Sequence, residues 1–78
     1  MMTLHEAILK CFLDKQRPMT IQEVEIYISQ QHKQRWKDIG TTMADMVPIN
    51  YGGNATSTVP GEYRRLKRLT RGTYTLIE

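Results

Sequence analysis

Apolar residues recur along the first half of the chain at helical spacing. Leu4, Ala7, Ile8, Cys11 and Phe12 fall at i, i+3, i+4, i+7 and i+8, which lays one apolar stripe along a helix. Thr3-Leu4-His5-Glu6 has the spacing of a capping box: the hydroxyl accepts from the amide three residues on, and the carboxylate reaches back to the cap amide. Pro18 closes the segment, because proline restricts its predecessor and cannot continue the hydrogen-bond ladder. Met19 follows as a short extended residue. Thr20-Ile21-Gln22-Glu23 then repeats the capping box, and Ile21, Val24, Tyr27 and Ile28 share a face from which Ile26 departs. The pattern predicts helices over about 3–15 and 20–31.

A third helix is predicted over 34–47, starting between Lys33 and Arg35 and ended by Pro48. Trp36, Ile39 and Met43, with Met46 and Val47, form its inward stripe. Gly40 inside it costs about 1 kcal/mol relative to alanine, so either a neighbour approaches closely there or the helix begins later. The apolar period runs across the glycine, and a continuous helix is the expectation. Residues 48–62 carry no periodicity and include Gly52-Gly53-Asn54-Ala55-Thr56-Ser57-Thr58, a polar loop long for a small domain. Two β-capable runs joined by Thr70-Arg71-Gly72 then predict a hairpin over about 64–77, with Gly72 supplying positive φ. Leu66 and Leu69 break strict alternation, which implies a bulge or a helical turn before Leu66.

The order helix, helix, turn, helix, loop, hairpin resembles the winged helix-turn-helix superfamily. The likeness rests on the Pro18-Met19-Thr20 entry to the second helix, Ile21/Val24/Ile28 within it, and Ile39/Met43/Val47 in the third. It rests also on Leu66-Lys67-Arg68-Leu69-Thr70-Arg71-Gly72-Thr73-Tyr74-Thr75-Leu76, which looks like a wing. It covers nearly the whole chain and departs from the usual pattern in the length of the 48–62 loop. The resemblance implies an α+β fold, a three-helix winged helix with a two-stranded C-terminal β-hairpin, in a single domain spanning 1–78. It further implies that the third helix presents Arg35, Lys37, Thr41 and Thr42 to a DNA groove. Gln34, Asp38 and Asp45 share that outward face, and the two carboxylates repel phosphate.

Charge adds weight to this picture only once it is located. Eleven Lys and Arg against eight Asp and Glu give +3 overall, but residues 1–62 hold six cations and seven anions, while 63–78 hold five cations and one anion. A near-neutral body therefore carries a basic hairpin. Arg64, Arg65, Lys67, Arg68 and Arg71 are the candidates for phosphate or minor-groove contacts. The plainer alternative is that they keep an edge strand from pairing with other chains, a task that five cations exceed.

Other chemistry is sparse. An apolar fraction of 40% in 78 residues suffices for one core and leaves no layer for a catalytic cleft, so no enzyme is expected. One cysteine excludes an internal disulfide, and Cys11, on the apolar stripe, reads as a small buried hydrophobe. His5 and His32 lie far apart and read as surface residues; neither a metal nor a cofactor is expected. Gly52-Gly53-Asn54 lacks the spacing and lysine of a P-loop and reads as a connector. No apolar run reaches membrane length and no leader is evident, so an intracellular protein, cytoplasmic or nuclear, is expected without a membrane partner. Double-stranded DNA is the expected partner, with transcription regulation as its setting. The rival expectation is a protein-interaction module that uses exposed Ile26, Ile49 and Tyr51 or a homodimer face.

Overall fold

Both predicted capping boxes form, and they fix where the first two helices start. In the computed structural model, which describes residues 2–77, the Thr3 hydroxyl accepts from the Glu6 amide at 3.3 Å. The Glu6 carboxylate accepts from the Thr3 amide at 2.9 Å in return, ahead of helix α1, Leu4–Lys15. Thr20 and Glu23 exchange the same pair of bonds at 3.1 and 2.9 Å ahead of helix α2, Ile21–Gln31. Each box satisfies amides that a helix start otherwise leaves without partners.

Helix α3 differs from its expected bounds. It spans Ile39–Asp45, seven residues in place of the fourteen expected over 34–47. Asp38 precedes it at φ 56°, a left-handed conformation through which a right-handed helix cannot run, and its side chain caps nothing. The preceding 32–38 segment is a connector in which Trp36 is half-buried, its ring edge-on to His32 at 5.5 Å. Gly40 accordingly lies in the first turn of α3 and not in its middle. Its α-carbon faces Ile21, whose Cδ1 would stand 3.1 Å from an added Cβ, so this glycine lets α3 approach α2 closely. Met46 and Val47, expected on the helix, are buried just beyond its end.

The sheet has three antiparallel strands where two were expected. Met19–Thr20 forms β1, Leu66–Thr70 forms β2 and Thr73–Leu76 forms β3, in the order β1-β3-β2. The extended residue read at Met19 thus pairs with Tyr74 and ties the entry of α2 to the hairpin. The Gly72 carbonyl adds a bond from the Ile21 amide at 3.0 Å, and Gly72 itself has φ 79° in the turn. Both irregularities allowed by the leucine spacing occur: a 3₁₀ turn at Gly61–Tyr63 and a register shift between Arg68 and Thr70 that leaves Leu69 unpaired and exposed.

Phe12 and Ile8 of α1, Val24 of α2 and Met43 of α3 meet Met19, Leu66 and Tyr74 of the sheet in a single core. Leu66, Tyr74 and Leu76 share one sheet face by pairing and alternation, and that face lies on the helices. Among the described residues the fold is therefore α+β, three helices against a three-stranded antiparallel sheet. No helix among them is long and apolar enough to cross a membrane.

Candidate nucleic-acid interface

The polar 48–62 loop is fastened at several points. The Pro48 carbonyl accepts from the Tyr51 and Gly53 amides, both at 2.9 Å, closing a tight turn around the 3₁₀ segment Ile49–Tyr51. A Cβ on Gly53 would overlap the Val47 carbonyl, so this position requires glycine. The Asn54 side chain accepts from the Thr56 amide and hydroxyl at 3.0 and 2.8 Å. Ser57 donates to the Asp45 carbonyl at the end of α3 at 2.9 Å.

Arg64 joins these pieces from the hairpin side. Its Nη2 donates to the Val47 carbonyl at 2.6 Å and to the Asn54 carbonyl at 2.9 Å, and the side chain is half-buried. Its Nε is buried without a partner among the described residues. Bonds from a charged donor to backbone oxygens are stronger than neutral ones, so one guanidinium holds the loop against the end of α3.

The fastened loop becomes the third wall of a cleft of about 800 Å³. Helix α3 contributes Gly40, Thr41, Ala44 and Asp45, and the loop contributes Tyr51 through Asn54. The hairpin supplies Arg68, Arg71 and Tyr74. Arg68 is held at the edge: its Nη2 donates to the Tyr74 hydroxyl at 3.1 Å, and its guanidinium carbon lies 5.5 Å from the centre of the Tyr74 ring. Arg71, in the turn, is exposed, with no hydrogen-bond or ion-pair partner among the described residues. Neither arginine pairs with Asp45, since the ion pair found among the described residues joins Arg17 to Glu23 at 3.2 Å. No family model, curated protein or solved structure matches this chain.

The cleft thus brings together Thr41, Arg68 and Arg71 from the expected set and leaves the others elsewhere. Arg35 and Lys37 lie in the connector before α3, because the helix starts at Ile39, and Arg35 borders a separate depression beside Trp36. Thr42 is half-buried and does not line the cleft. Lys67, one residue out of phase with Arg68, falls on the opposite sheet face, and Arg65 borders another depression beside Arg17. Arg64 points inward. Asp45, which the residues alone present as an objection to phosphate, and Tyr51, which they assign to a protein partner, line the cleft with the arginines. The signal available was Pro48-Ile49-Asn50-Tyr51-Gly52-Gly53, a helical turn stopped by glycines, which folds the chain back on itself.

The remaining reactive groups are accounted for by packing. Burial pushes the Cys11 thiol up to about 11, leaving it protonated and unreactive at neutral pH, and its sulfur sits 3.5 Å from that of Met19. His5 packs against Tyr63 with ring centres 4.7 Å apart and planes tilted by 53°, and the Tyr63 hydroxyl has its pKa raised first by the charge of Glu6 and then by burial. Among the described residues no three His, Cys, Asp or Glu side chains cluster as metal ligands would.

Proposed function

We propose that this chain is a winged-helix module that binds double-stranded DNA, using α3 on one side of the cleft and the hairpin as the wing on the other. The observation that carries the reading is the cleft, which sets Arg68 and Arg71, neither paired with a carboxylate among the described residues, opposite the solvent-facing side of α3. Guanidinium donors suit backbone phosphates, and Thr41 on the opposing wall suits a phosphate or a thymine methyl. The turn that carries Arg71 is tied to α2 through the Gly72 carbonyl, so the cations are positioned before a ligand arrives. Gene regulation in a nucleus or cytoplasm belongs to the same proposal.

The test is the salt dependence of duplex binding, followed by fluorescence anisotropy. Each phosphate neutralised steepens log K against log salt by roughly 0.9. Replacing both Arg68 and Arg71 with alanine is expected to weaken binding at low salt and to flatten the slope by roughly 1.8. Absence of duplex binding by the unaltered protein at low salt, or an unchanged slope in the variant, overturns the proposal. The first of these results would favour the protein-interaction reading, for which Ile26 and Ile49 remain exposed.

A further inference from the structure

We infer that the same cleft holds one unpaired nucleotide, whose base stacks on Tyr51 and presents an amino group to Asp45 while its phosphate meets Arg68 and Arg71. This rests on the nucleic-acid reading above and narrows it from duplex in general to duplex with a displaced or bulged base.

Three observations lead there. Tyr51 is 46% exposed and lines the cleft, yet it takes no part in the core. Bases within an intact duplex are already covered by their neighbours, so an aromatic ring at the surface meets a base face only when a nucleotide leaves the stack. Asp45 is the second observation. A carboxylate that lines a phosphate site opposes binding, but it accepts well from the exocyclic amino group of cytosine or adenine. The cleft therefore carries two arginines on the hairpin and a single acid, Asp45, at the end of α3, the polarity of a nucleotide laid across it with phosphate on one side and base edge on the other. Thirdly, at about 800 Å³ it falls in the size range of small-ligand sites, roughly 300–1,000 Å³. Ala44 presents no more than a methyl group on the α3 wall, which leaves room for a base there.

The experiment compares labelled duplexes at low salt: fully paired, and carrying one unpaired cytosine, one unpaired thymine or one abasic bulge. The cytosine bulge is expected to bind about tenfold tighter than the paired duplex, the size of one base–aromatic stack, and the abasic bulge no tighter than the paired one. Tyr51→Phe keeps the ratio of bulged to paired affinity, and Tyr51→Ala brings it to about one. Asp45→Ala removes the preference for cytosine over thymine. In the unaltered protein, 2-aminopurine placed in the bulge is quenched on binding, a readout independent of any variant's folding. Equal affinity for paired and bulged duplexes, or an unquenched probe, overturns this inference and leaves duplex binding standing. Failure to bind any duplex at low salt overturns both.

Discussion

At the start of α2 the Thr20 hydroxyl and the Glu23 carboxylate exchange bonds with each other's backbone amides, whereas at the start of α3 Asp38 turns left-handed and caps nothing. The two helices share one core, and the difference lies in what defines their ends. Four consecutive residues carry the instruction for α2. Helix α3 has seven residues, too few to be stable alone, and its first turn is set by how closely Gly40 approaches Ile21. The cleft depends on that second kind of start. Both of its walls beside α3 are placed by distant contacts: Arg64 on the Val47 and Asn54 carbonyls, and the Leu66 amide on the Met46 carbonyl at 3.0 Å.

If α3 is held by tertiary packing, removing its main anchor should have the largest effect on the protein. Met43 is fully buried, and Met43→Ala is expected to cost about 2–5 kcal/mol. That equals roughly the whole net stability of a domain this small, about 3–5 kcal/mol. The variant should be largely unfolded at room temperature by circular dichroism, with the cleft lost as well. A melting curve within a few degrees of the unaltered protein would mean that α3 carries its own instructions, and the contrast with α2 would fail.

The next test exchanges the two helix starts. Thr20→Ala removes one side of a capping box and should cost about 1 kcal/mol, read from the urea midpoint. Asp38→Gly removes a side chain that caps nothing and relaxes a φ of 56°, so the gain in backbone comfort roughly offsets the loss of chain stiffness. That variant is expected to be as stable as the unaltered protein or slightly more so. Equal losses from both substitutions would show that Asp38 caps α3 in solution.

The same contrast explains how far the residues alone reveal the molecule. The capping boxes, the apolar stripes of α1 and α2, the hairpin and its glycine turn are all encoded within a few residues, and all are legible. The start of α3 is not legible, because Trp36, Ile39 and Met43 keep a helical period straight through a residue that leaves the helical region. Met19 is legible as an extended residue but not as a strand, because two residues have no periodicity and its pairing partner, Tyr74, lies 55 positions later. Of the site, Arg68, Arg71 and Thr41 were legible as charge and outward face. That Arg64 turns inward, and that Tyr51 and Asp45 share a cleft with the arginines, depends on loop closure, which local pattern does not encode.

The smallest expected effect separates α1 and α2 from α3 by charge alone. The Thr3 backbone amide holds Glu6, and the Thr20 backbone amide holds Glu23, below the ordinary value of 4.5; α3 has no acid in its first turn. A carboxylate whose proton affinity is lower in the folded state contributes stability above its unfolded value, and that contribution is lost as pH falls through the folded one. Unfolding midpoints should therefore decline as pH drops below 4.5, in part through these two groups. Glutamine preserves the reciprocal bonds of a capping box without the charge, so a variant with both Glu6→Gln and Glu23→Gln isolates the ionic part. Its stability should be slightly lower at neutral pH and should fall less steeply into the acid range. Both carboxylates lie at the surface, where solvent screens them, and this places the effect last in size. An acid limb as steep as that of the unaltered protein would mean that neither helix start responds to pH through its glutamate.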